Sequence, residues 1–159
     1  MLSKEQILVR GFRLADLENV KELINRTIDV CYKGYYCNEV MEYFDMYNWD
    51  GNILKVARDG YIVVVEKQGK IIGTGSVVGD VISRVFVDPG QQRQGLGKMI
   101  MNELERQAAT NGVKVARLRA LANARKFYES LGYVTVDKGL VKVDNGRCLE
   151  YYQMEKKLK

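Results

Sequence analysis

The spacing of apolar and polar positions changes along this chain, and each change predicts an element. Residues 7–13 alternate as a first strand. Over residues 17–29, Leu17, Val20, Leu23, Ile24 and Ile28 fall on one helical face, with Asp16 placed to cap it. A second helix is expected with Asn38 as its cap and a stripe of Val40, Tyr43, Phe44 and Tyr47 opposite Glu39, Glu42 and Asp45. Asn52 should open a short third helical turn that closes near Gly60. The period then becomes two. Residues 61–66 and 70–78 read as a hairpin around Gln68-Gly69, and residues 81–87 as the next strand. From Leu96 a helical period returns: Leu96, Ile100, Leu104 and Ala108 recur every four positions until Asn111-Gly112. Residues 114–120 read as a buried strand. Asn123 can then cap a helix with Ala124, Phe127, Tyr128 and Leu131 inward, ended by Gly132. Residues 133–143 and 148–156 form a last hairpin around Asp144-Asn145-Gly146. The order β-α-α-β-β-β-α-β-α-β-β predicts one α/β domain of the α+β type over residues 1–159. Its sheet should be mixed but mostly antiparallel, flanked by helices.

One junction carries chemistry. Val85-Phe86-Val87-Asp88-Pro89-Gly90 ends a strand in a turn, and Gln91-Gln92-Arg93-Gln94-Gly95-Leu96-Gly97-Lys98 runs from it straight into a helix. The first N–H groups of such a helix have no internal partner, and with the helix dipole they favour an anion. Gly95 and Gly97 lack a Cβ, so they permit tight curvature and close approach of a bulky ligand. Two nucleotide motifs fail here. A P-loop needs four residues between its glycines and then Lys-Ser or Lys-Thr, which Gly95-Leu96-Gly97-Lys98-Met99 lacks. A dinucleotide fingerprint needs a third glycine, absent after Gly97 and absent at Val78 after Gly73-Thr74-Gly75.

Gln92-Arg93-Gln94-Gly95-Leu96-Gly97 reads as Q/R-x-x-G-x-G/A and resembles the acyl-CoA-binding signature of the GNAT superfamily of N-acetyltransferases. Downstream, Asn123-Ala124-Arg125-Lys126-Phe127-Tyr128-Glu129-Ser130-Leu131-Gly132-Tyr133 is similar to that family's second motif. The close resemblance spans residues 81–134, and the predicted order of elements also matches the family. It implies an acetyl transfer from acetyl-CoA, as cosubstrate, to a primary amine of a small molecule or peptide, by direct attack in a ternary complex. The amides of Gln92, Arg93, Gln94, Gly95, Leu96, Gly97 and Lys98 would then cradle the pyrophosphate. Phe86 and Val87 would offer main-chain groups to the pantetheine arm, provided the strands at 81–87 and 114–120 splay apart. The Val87 N–H would polarise the thioester carbonyl. Tyr128 matches the family's general acid and would also touch the cofactor, as would Asn123.

Other readings of the same residues stay open. The paired glycines also suit tight helix–sheet packing, Lys98 a solvated first turn, Tyr128 a core tyrosine, and Asn123 a plain cap. The base is unresolved: Val81-Ile82-Ser83-Arg84-Val85 holds no carboxylate where some family members carry Glu. Asp80 is the nearest acid, equally suited to a turn, and Arg84 suits an anionic acceptor or an internal ion pair. The missing carboxylate is also what a catalytically inactive acyl-CoA sensor or partner module would show. Tyr32, Tyr35, Tyr36, Tyr43, Phe44, Tyr47 and Trp49 crowd one span with Glu39, Glu42, Asp45 and Asp50. Together they either hold a cationic amine or divide into core and solvated acids. The acceptor-binding candidates taken from this region are Tyr32, Tyr36, Tyr43 and Arg84.

Composition narrows the picture. The chain of 159 residues has no histidine, which removes Ser-His and Cys-His nucleophile pairs and histidine zinc sites. The chemistry implied needs no metal. A net charge of +5 suits a polyanion such as coenzyme A. Nucleic acid is the competing partner, disfavoured because the basic residues are dispersed except for Lys156, Lys157 and Lys159. Residues 1–6 do not read as a secretory leader, and runs such as Ile62-Val63-Val64-Val65 are too short to cross a membrane. Three cysteines without metal spacing suit the reducing cytoplasm. A homodimer is left open.

Overall fold

The computed structural model describes residues 6–159; the leader reading of residues 1–6 lies, except for Gln6, outside them. Seven strands form one sheet: β1 (Ile7–Gly11), β2 (Tyr61–Lys67), β3 (Lys70–Val78), β4 (Val81–Val87), β5 (Val115–Ala120), β6 (Val134–Lys142) and β7 (Cys148–Lys157). Their order across the sheet is β1-β2-β3-β4-β5-β7-β6. All neighbours are antiparallel except β4 and β5. On one face lie α1 (Leu17–Cys31), α2 (Asn38–Tyr47) and α3 (Asp50–Asp59); on the other lie α4 (Leu96–Thr110) and α5 (Arg125–Ser130). The run Ile62-Val63-Val64-Val65 shows why both faces need cover. Val63 and Val65 pack under α4, while Ile62 and Val64 pack under α1–α3.

The turns follow from backbone chemistry. Gln68 and Gly69 both have positive φ (53° and 75°), the two-residue hairpin turn whose twist suits antiparallel strands. Gly112 and Gly132 close α4 and α5 at φ 87° and 98°, with Val113 N–H donating to Ala108 O and Tyr133 N–H to Tyr128 O.

The expected side-chain caps do not form. The Asp16 carboxylate does not cap α1. It accepts from the Arg13 amide (2.7 Å) and from the Arg10 guanidinium, which holds it below its ordinary pKa. Asn38 is the first residue of α2 rather than its cap, and Asn123 precedes the Ala124 position from which α5 starts; neither helix has a side-chain cap. The third helix is ten residues long, not a single turn, and begins at Asp50. Asn52 lies inside it and donates back to Met46 O and Tyr47 O. Gly51 is accommodated there because the Trp49 ring lies over it: a Cβ at 51 would sit 2.3 Å from Trp49 Cζ2.

Candidate active site

The sheet opens where the chemistry was expected. The parallel ladder between β4 and β5 consists of two pairs, Val81↔Arg117 and Ile82↔Leu118, after which the strands part. Towards β3, Ser76 pairs with Ser83 but Thr74 with Phe86, so β4 carries one extra residue between these pairs. Arg84 within this bulge is left-handed, at φ 53°. The bulge turns the strand over: Ile82, Val85 and Val87 pack towards α4, whereas Phe86 joins the opposite cluster. The Asp88 N–H donates to Ile72 O (2.8 Å), so by the alternation of an antiparallel ladder the N–H and C=O of Val87 point away from β3 and into the split. The side-chain amide of Gln92 caps that carbonyl (3.0 Å).

Past the strand end the loop is anchored and open. Asp88 is buried; its carboxylate accepts from the Gly90 amide (2.8 Å) and pairs with Arg26 of α1. Arg93 and Gly95 are left-handed, at φ 64° and 80°. Gly95 precedes α4, and the helix takes its first internal bond at Met99 N–H to Gly95 O. Among the described residues, no protein acceptor receives the N–H groups of Gln92 through Lys98. Arg93, Gln94 and Lys98 are exposed, and the Lys98 ammonium has no acidic partner among the described residues. The two glycines differ in what they do. Gly95 has open space around it. A Cβ at Gly97 would lie 2.9 Å from Phe127 Cζ, so Gly97 lets α4 pack on α5. Gly97→Val should therefore cost about 1–3 kcal/mol and lower the melting temperature of the ligand-free protein by roughly 2–10 °C. An unchanged or raised melting temperature would contradict that packing role.

Tyr128 of α5 is buried at 9 % exposure and lines a cavity of about 200 Å3 in the β4–β5 split. Burial, with a smaller contribution from nearby Tyr32, pushes its phenol well above the ordinary tyrosine range, so it stays protonated and able to donate. The cavity passes from one layer to the other. Tyr128 belongs to the α4–α5 side, while Tyr32, Phe44, Phe86, Val141 and Leu149 belong to the α1–α3 side. Burial also raises the Tyr32 phenol, to about 12.

Of the acceptor candidates, Tyr32, Tyr43 and Arg84 line this cavity; Tyr36 stands behind them, edge-on to Tyr32 and Phe44. Asn123 is an exposed turn residue outside the lining. Asp80 lies outside it too, at the closed end of the split: Arg117 Nε donates to its carboxylate (2.8 Å) and Arg117 N–H to its carbonyl (2.8 Å). The acidic side chains near the aromatics also stay out. Glu42 and Asp45 are exposed, Glu39 accepts from Asn145 and Asp50 pairs with Lys21. The acids thus turn away from the cavity, while the aromatics divide: Tyr32, Tyr43, Phe44 and Tyr47 line it, and Tyr35 and Trp49 are exposed. Asn48, Arg119 and Tyr151 line the cavity without having been singled out in the sequence. Alternation along β5 and β7 was the available signal for the latter two.

The Acetyltransferase (GNAT) domain model matches residues 30–158. The chain belongs to this family of acetyltransferases. Solved GNAT structures share the fold across nearly the whole chain. A GCN5-related N-acetyltransferase from Rhodopseudomonas palustris is 21 % identical, with 99 % of each chain covered and a TM-score of 0.87. The PaiA N-acetyltransferase of Thermoplasma acidophilum, solved with coenzyme A, is 19 % identical over 96 % of this chain and 99 % of its own, with a TM-score of 0.76. YncA of Salmonella typhimurium, described as a putative acetyltransferase and solved with acetyl-CoA, is 20 % identical over 97 % and 95 %, with a TM-score of 0.69. The GNAT fold thus accounts for the seven-stranded sheet and its five helices. Among the described residues, no helix is long and apolar enough to cross a membrane.

Proposed function

We propose that this GNAT protein moves an acetyl group from acetyl-CoA to a primary amine of a small molecule or peptide, by direct attack in a ternary complex. The observation that carries the reading is the splayed β4–β5 pair: the Val87 N–H turns away from β3 towards the split, the buried protonated Tyr128 lines the cavity there, and an open run of loop amides follows the strand. The N–H groups from Gln92 to Lys98 fit a pyrophosphate: they are unpartnered, they sit at a helix N-terminus, and Gly95 leaves room beside them. When bound, acetyl-CoA supplies a thioester whose C–S bond breaks as the amine forms the new C–N bond. The Val87 N–H stabilises the negative charge that develops on the carbonyl oxygen. Tyr128 protonates the departing sulfur. Among the described residues no carboxylate lines the cavity, so the amine enters as its free base, the proton it loses on forming the C–N bond leaves to water, and water returns one to Tyr128. A covalent acyl-enzyme is not needed, and Cys31, Cys37 and Cys148 do not line the cavity. We place the reaction in the cytosol, where these unpaired thiols stay reduced.

The test is a melting titration with acetyl-CoA, using ATP and NAD as controls, followed by thiol release with a panel of primary amines. At about a hundred times Kd the ligand should add roughly 2.7 kcal/mol, a rise of about 5–10 °C for this size of chain. Equal shifts with ATP or NAD, or no shift at all, would remove the cofactor assignment.

A further inference from the structure

The polar groups of the cavity point to the acceptor's charge. Among the described residues its lining contains two guanidinium groups, Arg84 and Arg119, and no aspartate or glutamate. Arg10, Arg26, Arg58, Arg106 and Arg117 each hold a carboxylate. Among the described residues, neither Arg84 nor Arg119 has an acidic partner. Arg84 is fixed by the bulge and by Tyr47: its Nη2 donates to Tyr47 O (2.8 Å), and its guanidinium carbon lies 4.1 Å from the centre of the Tyr47 ring. Its Nε is buried and has no protein partner. Arg119 reaches the cavity from β5, stacked 4.5 Å over the Tyr151 ring. Both cations act on Tyr43 between them: burial raises its phenol, and the two guanidiniums oppose that rise. The Arg84 guanidinium, taken partly out of water without a counter-ion, is costly unless a ligand brings the anion.

A second orphan complements them. Asn48 is 5 % exposed, and its amide donates to Phe44 O (3.0 Å). Only the nitrogen can donate to a carbonyl, which fixes the amide orientation. Oδ1 is therefore left as a buried acceptor without a partner. The cavity itself thus offers donors for an anion and an aromatic wall from Tyr32, Phe44 and Phe86.

We propose that the acceptor is a small amine that carries its own carboxylate on an apolar body, with Arg84 and Arg119 receiving the carboxylate and thereby setting specificity. This assignment rests on the acetyl-transfer reading above and narrows it. Guanidinium groups suit a carboxylate through paired N–H donors, and both Arg84 and Arg119 line the cavity without an acid to occupy them among the described residues.

The experiment compares matched acceptors by thiol release from acetyl-CoA: L-phenylalanine against phenethylamine, and 4-(aminomethyl)benzoate against benzylamine. Rates are expressed per free-base amine, so that differences in amine pKa do not count as specificity. In at least one pair the carboxylated member should have a kcat/KM at least tenfold higher. Arg84→Gln should bring that ratio close to one, and Arg119→Gln should lower it severalfold. Arg119 is exposed, so its variant tests the assignment even where Arg84→Gln does not fold. A melting shift with acetyl-CoA confirms that each variant is folded and binds the donor. Equal use of both members of each pair, or a ratio that survives both substitutions, overturns the assignment and leaves the transferase reading standing. No turnover of any amine, with no acetyl-CoA shift, overturns both.

Discussion

Tyr128→Phe should lower kcat by about 10²–10⁴-fold, the usual span for losing a general acid, while the melting shift with acetyl-CoA persists. The substitution removes one hydroxyl from a side chain that is 9 % exposed and leaves its edge-to-face contacts with Phe127 and Tyr133 in place. Among the described residues that hydroxyl has no protein hydrogen-bond partner, so its loss strands no donor or acceptor. The pH profile gives an independent check. Burial raises the Tyr128 phenol above the ordinary tyrosine range, so the acid form is complete across neutral and mildly alkaline pH. Among the described residues no carboxylate lines the cavity to serve as a base. The rate should therefore climb with pH along the acceptor amine's own ionisation and show no falling limb from Tyr128 below the ordinary tyrosine pKa. Wild-type rates in Tyr128→Phe, at saturating donor and acceptor, would remove the acid assignment. They would leave solvent as the proton source for sulfur.

What the sequence made legible divides along physical lines. Features written in local backbone chemistry could be read directly: the Gln68-Gly69 and Asn145-Gly146 turns, the glycines closing α4 and α5, and the two-period and four-period stretches between them. The split between β4 and β5 followed from the resemblance rather than from any pattern in 81–87. The bulge within it had no local signature, because the left-handed residue is Arg84 and not glycine. Strict alternation would have set Ile82, Arg84 and Phe86 on one face, whereas the extra residue sends Ile82 and Phe86 to opposite layers. The caps failed for a related reason. Asp16, Asn38, Asn52 and Asn123 all suit a helix start, and α1 does begin after Asp16, but the Asp16 carboxylate is taken by Arg10 and the Arg13 amide, Asn52 lies inside α3, and α2 and α5 have no side-chain cap. The acceptor wall was half visible. Tyr43 stands on a helix whose stripe could be counted and Tyr32 just past the end of α1, while Arg119 and Tyr151 come together only through the pairing of β5 with β7.

Gly95→Glu should abolish the acetyl-CoA melting shift while the domain stays folded. Two effects act in the same direction. Gly95 sits at φ 80°, where a side chain costs about 1–2 kcal/mol relative to ordinary backbone, so the loop tends to rearrange. The carboxylate would also stand beside the unpartnered amides of the cradle and compete with the pyrophosphate for them, as negative charge is favoured at a helix N-terminus. No heavy atom lies within 4 Å of the position a Cβ would take, so the substitution does not overpack the core as Gly97→Val does. Gly95→Asn separates the effects, because asparagine tolerates the left-handed region and brings no charge. Its melting shift should fall between those of the wild type and Gly95→Glu. At fixed acetyl-CoA, a wild-type shift of about 5–10 °C that survives in a folded Gly95→Glu would place the phosphates elsewhere. Lys98 and the loop amides would then lose their assigned role together, because they share the same few ångströms of chain.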